Sequence, residues 1–179
     1  MSNLARSELQ VIKAPRKVLA VIAGVEHELG HTSGGIKWTV KVDSYDVDSD
    51  QAGNIDTMMK VCGSEIETPL LQWSKEIIAL ILPNAIRTVN GSDDTVEFGT
   101  NVGVSLRSLA IPIILRPEDK TASDKSDDIY HYLMAPMDGF NFSFSGEASK
   151  EVISVKWRSF PHATKGNTKN LFFLGPAIA

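Results

Sequence analysis

Residues 36–68 read IKWTVKVDSYDVDSDQAGNIDTMMKVCGSEIET. At the start of this stretch Ile36, Trp38, Val40 and Val42 alternate with Lys37, Thr39, Lys41 and Asp43, the period of two that sets one strand face on a core and the other in water. Past Ser44 the phase changes: Tyr45 and Val47 become the apolar positions, and Asp46, Asp48 and Asp50 take the opposite face. A one-residue shift turns every side chain over, so the pattern predicts a β-bulge, or a strand that leaves its own core and buries its other face against a partner. DQAGN at 50–54 is a turn-rich tip, and the chain returns through MMKVCGSEIET, so residues 36–68 are expected to form one long hairpin.

Upstream, KVLAVIAGV at 17–25 reads as a buried strand that follows a polar arm holding Arg6, Lys13, Arg16 and Lys17. Downstream, Thr68-Pro69 has the form of a helix start, with a capping threonine and a proline where no N–H is needed. Leu70, Trp73, Ile77 and Leu80 or Ile81 recur at helical spacing up to Pro83, which predicts one helix over about 69–82. Strands are expected at 95–98, 102–115, 129–135, 140–144, 152–160 and 171–173, and residues 117–128, PEDKTASDKSDD, as a mobile surface loop too polar to pack. The predicted fold is mostly β: an antiparallel sandwich or barrel with one flanking α-helix and a long hairpin. It is organised as an N-terminal arm at 1–16, one β domain at 17–175 and a tail at 176–179.

The 179 residues suffice for a single core. A net charge of -4 argues against a nucleic-acid-binding surface, because such affinity comes from cations that displace counterions from phosphates. The single cysteine, Cys62, cannot make an internal disulfide, which fits a reducing cytoplasm, and is expected to be a small core residue. The N-terminus has no signal-peptide core, and no run approaches the roughly 20 apolar residues of a spanning helix, so a protein kept in solution without a membrane partner is expected.

Two local motifs are weighed against this frame. His27-Glu28-Leu29-Gly30-His31 matches the H-E-x-x-H zinc signature, which needs both imidazoles on one helix face and a further protein ligand. It follows an apolar strand and contains Gly30, so a loop is expected instead of a helix, and a small zinc metallopeptidase remains the alternative function. Asp46, Asp48 and Asp50 resemble the first ligands of an EF-hand, but Gln51 replaces the required glycine and Thr57 the bidentate glutamate. No P-loop, dinucleotide fingerprint or nucleophile elbow occurs, and neither a cofactor nor catalysis is expected.

Gly34-Gly35 before the alternating strand, the acidic DSYDVDSDQAGNID, the strand MMKVCGSEIET, the helix PLLQWSKEIIALILPNA, the late FNFSFSGEASKEVISVKWRSFP and the closing NLFFLG follow one another in a telling order. In that order the chain resembles the phage tail tube (major tail protein) family, which shares its fold with type VI secretion tube proteins. The resemblance implies a virion structural protein assembled in the host cytoplasm, six subunits per ring, and stacked rings that conduct DNA through a bore without specific binding. It also implies other tail proteins as partners, a tape measure and possibly a sheath. The hairpin loop would contact the next ring through Asp46, Asp48, Asp50, Gln51, Asn54 and Asp56, with Arg16 and Lys17 as a basic complement. A secretion-system tube component or binding module of the same fold is a further alternative.

Overall fold

The computed structural model describes residues 15–32, 35–49, 53–71, 74–82, 84–100, 102–137, 152–166 and 170–176. Strand β1, Arg16–Ile22, turns through Ala23 and Gly24, both at positive φ, into β2, Val25–Glu28. The two-residue turn matches the twist of a hairpin, and it divides the single strand expected over 17–25. Strands β3, Lys37–Ser49, and β4, Gly53–Leu70, form the long hairpin the alternation predicts. Its register shifts between Asp43 and Ser44, where β4 passes over Lys60, and again between Val47 and Asp48, where it passes over Ile55. A bulge thus lies beside the phase change at Ser44, but its extra residue is on the returning strand, so β3 keeps its own alternation and Tyr45 and Val47 turn to the face opposite Val42.

The helix starts later than Thr68-Pro69. Thr68 is buried in β4, where its hydroxyl donates to the Val155 carbonyl at 3.2 Å and accepts from Trp157 Nε1 at 3.1 Å. Those cross-strand bonds replace a cap, and Pro69 lies beyond Glu67, the last β4 residue paired with β3. Helix α1 spans Lys75–Ile81 and is capped by Ser74, whose side chain accepts from the Ile77 N–H.

Strands β5, Ala85–Asn90, and β6, Asp93–Phe98, make a separate hairpin whose turn contains Gly91 at φ 63. Only β6 was expected, although Asn90-Gly91 is a strong turn signal. The strand expected over 102–115 is confined to β7, Ile111–Pro117; Leu106–Leu109 is a 3-10 turn, held partly by the Ser108 hydroxyl on the Ser105 carbonyl. Strands β8, Ile129–Pro136, β9, Ile153–Ser159, and β10, Phe172–Leu174, fall where alternation placed them. The predicted strand at 140–144, the arm residues before 15 and the tail beyond 176 lie outside the described residues. Of the arm, Arg16 already belongs to β1.

The main sheet is antiparallel in the order β2-β1-β7-β8-β9-β4-β3, with β10 paired to β8. The chain after β2 then carries the sheet back on itself: Leu29 N–H donates to Val18 O, Leu71 N–H donates to His31 O, and Thr32 bridges Leu70. A ring of hydrogen bonds closes into a barrel, filled by Val18, Ala20, Leu29, Ile66, Ile113, Leu115, Met134, Val155 and Trp157 and joined by Ile81 of α1. Each large apolar side chain removed from water here contributes roughly 1.5–3 kcal/mol before entropy is counted.

Residues 117–128 are not simply a solvated loop. Asp128 is buried and receives three short contacts from the equally buried Arg116, which also grips Glu26 with two nitrogens at 2.8 and 3.2 Å. These carboxylates hold the guanidinium well above its ordinary pKa, while the Arg116 bonds hold Glu26 below its own. Lys120, tied to Asp124 and Asp127, fastens the rest of the segment.

Candidate functional site

Beyond the barrel the hairpin stands alone. The pairing of β9 with β4 ends at Glu65↔Arg158, so among the described residues β4 from Gly53 to Ser64 pairs only with β3, which is the last strand of the sheet. That two-stranded ribbon is roughly 40 Å long at about 3.3 Å per residue. One side of β3 has no ladder partner among the described residues, which leaves a long free edge.

The root of the ribbon is fixed. Trp38 Nε1 donates to Ser64 Oγ at 2.8 Å, and the same hydroxyl shares a hydrogen bond with His131 Nε2 at 3.0 Å. The Ser64 N–H donates to Ser159 Oγ, and the rings of Trp38, His131 and Phe172 meet edge to face or tilted at 5.3–5.9 Å. His131 is fully buried, with Nδ1 lacking a partner, and burial lowers its pKa to about 4, the Ile113 backbone offsetting part of the effect.

Farther out, the apolar residues that the alternation assigned to a core are exposed. Val40, Val42 and Met59 lie on the face that continues from Trp38, Tyr45 and Met58 lie on the opposite face, and Ile55 is the bulged residue. Met59 and Ile55 are 65% and 63% exposed, values typical of polar side chains. Cys62, expected in the core, is exposed beside Val42. Its strand has already left the barrel at that point.

The predicted contact residues divide. Asp46 and Asp48 share a face, and Asp46 accepts from the Thr57 hydroxyl at 2.7 Å. Asp56 lies opposite Val47 on the other face, where it accepts from the Thr57 N–H. Asn54 pairs with Asp48 through its backbone, and Asp50 and Gln51 lie outside the described residues. Arg16 and Lys17 do not form a basic arm beside them. Both belong to β1, and Arg16 Nη1 is spent on the carbonyls of Leu115 and Asp127 at 2.9 and 2.8 Å.

Another cationic surface lies at the ribbon root, on the side away from the core. The rows Lys37–Glu67–Lys156 and Thr39–Glu65–Arg158 cross β3, β4 and β9, with Lys41 beyond. Lys37, Thr39, Lys41, Glu65, Glu67 and Lys156 line a shallow groove of about 260 Å³, and Arg158 lies beside it on Glu65. Lys41 and Arg158 hold Glu65 between them at 2.6 and 3.3 Å, and these contacts, Lys41 first, keep its carboxyl below the usual range. The sequence carried this signal in the lysines of the polar face, but pairing them with β9 required the register.

The zinc motif is placed differently from the loop expected of it. His27 and Glu28 sit in β2, opposite Ala20 and Leu19, and Gly30 at φ 97 separates them from the exposed His31. No helical face presents the two imidazoles together. Among the described residues no cluster of three or more His, Cys, Asp or Glu side chains is arranged to hold a metal. Comparison with models of known protein families and with curated proteins found no match.

Proposed function

We propose that this chain is a structural subunit of a bacteriophage tail tube, assembling as hexameric rings that stack into a hollow conduit for DNA. The observation that carries the proposal is the ribbon of β3 and β4, which exposes Val40, Val42 and Met59 on one face and Tyr45 and Met58 on the other, beside an edge of β3 that has no ladder partner among the described residues. Large apolar side chains gathered on a ribbon mark a surface that a partner covers, and an unpaired edge invites another strand. Copies of the same chain satisfy both requirements at once, closing edges around a ring.

The order of elements, similar to that of tail tube proteins, supports the same assignment. So does the net charge of -4, because a bore that bound phosphates would retain the genome it must release. In this role the chain does no chemistry. Its partners are its own copies and other tail proteins, a tape measure and, in a contractile tail, a sheath, and its location is the virion. Negative-stain electron microscopy with size-exclusion chromatography tests the proposal: rings or hollow tubes with sixfold end views are expected at high concentration. A protein that stays monomeric at near-physiological salt overturns it.

A further inference from the structure

The ribbon is electrically polarised along its length. Toward its far end the described residues carry four exposed carboxylates, Asp43, Asp46, Asp48 and Asp56, and one cation, Lys60. At its root Lys37, Lys41, Lys156 and Arg158 outnumber Glu65 and Glu67, four cations against two carboxylates. The two ends cannot meet within one chain, because the ladder from Lys37↔Glu67 to Ser49↔Gly53 holds the ribbon extended. They can meet between chains.

We infer that the groove lined by Lys37, Lys41 and Lys156, with Arg158 at its side, is the surface that receives the acidic ribbon end of a second copy. The inference rests on the proposed tube and deepens it by naming the receiving face of the stacking contact. Acidic end and basic root are different patches, so the contact is heterologous: each copy that donates its end still offers a root, and the series stays open along the ribbon axis. A self-complementary contact would end at a dimer. Opposite charges at the two patches also select one orientation, since a reversed copy would set end against end and repel. Arg16 and Lys17, held in the barrel wall, are not needed for this contact.

The test uses the full chain with two paired reversals, Lys37→Glu with Lys41→Glu at the root and Asp46→Lys with Asp48→Lys at the end, and the fourfold variant combining them. The outcomes are read from tube length by electron microscopy and from the concentration at which tubes appear. Each pair alone is expected to raise that concentration about tenfold, the sum of several weak exposed ion pairs, and the fourfold variant to recover most of the loss. Ring diameter and thermal melting of the monomer stay unchanged. Tubes from the wild type that are indifferent to the root reversals, or a fourfold variant no better than either pair, overturn the inference while leaving the conduit intact. A wild type that never assembles removes the conduit and this contact with it.

Discussion

Trp38 and Val42 lie on the same face of the same strand, four residues apart, yet they live in different surroundings. Trp38 packs on the barrel, its N–H on Ser64 and its ring against His131 and Phe172, whereas Val42 is 59% exposed. The strands β3 and β4 run without interruption from one region into the other. Alternation of apolar and polar residues therefore reports a face that is to be covered, and is silent on whether the same chain covers it. In the barrel Trp38, Ser64, Thr68 and Arg116 find their polar partners within the chain. On the ribbon the apolar groups are exposed.

The contrast breaks most sharply where a barrel residue is removed. Trp157→Ala deletes a fully buried indole and leaves the Thr68 hydroxyl without its donor, so a loss of roughly 4 kcal/mol is expected in urea unfolding. A change under 1 kcal/mol would mean that the barrel is not the stable unit. Arg116→Met follows at about 3 kcal/mol, because it leaves Asp128 buried as an uncompensated charge beside Glu26. Restoring part of that loss with Asp128→Asn in the same chain would assign it to the stranded carboxylate.

His131 adds a dependence on pH to the ribbon root. Its folded pKa, about 4, lies below the ordinary 6.5, so the unfolded chain takes up a proton that the native barrel refuses. Stability is complete above the unfolded value and falls as pH drops from 6.5 toward 4, by about 3 kcal/mol at 1.36 kcal/mol per pKa unit. Glu26 and Glu65, both lowered by their cationic partners, lose their contributions only below their ordinary value of 4.5. The interval between 4.5 and 6.5 thus isolates His131, and unfolding midpoints measured across it should become flat in His131→Gln. A slope that survives the substitution would place the proton elsewhere.

Much of the fold was legible because it repeats a local rule. Ile153, Val155 and Trp157 alternate with Ser154, Lys156 and Arg158 and form β9, and Trp38, Val40 and Val42 alternate through the first half of β3. What was illegible depended on contacts distant in sequence. Thr68-Pro69 has the local form of a helix start, but the Thr68 hydroxyl is claimed by β9 some 87 residues away. Asp128 reads as one more charge in a polar loop until Arg116, from an otherwise apolar strand, reaches it. For the candidate site, the acidic end was legible and the groove was not, since its rows exist only after β4 has paired with both β3 and β9.

The smallest effect on stability is expected where the effect on association is large. Met59→Thr changes a side chain 65% exposed on the ribbon, so the unfolding free energy of the isolated subunit should move by no more than about 0.5 kcal/mol. If copies cover that face, the same change removes apolar area from each contact and should visibly shorten tubes at fixed concentration. Cys62, exposed across from Val42, supplies a native reporter for the covering. Its thiol should react stoichiometrically with a small maleimide in the dissociated protein and be protected in the tube, with Met59→Thr restoring reaction at concentrations where the wild type is protected. A thiol equally reactive in subunit and tube would mean that the ribbon face stays open to water after assembly, and the apolar side chains along it would then need a different partner.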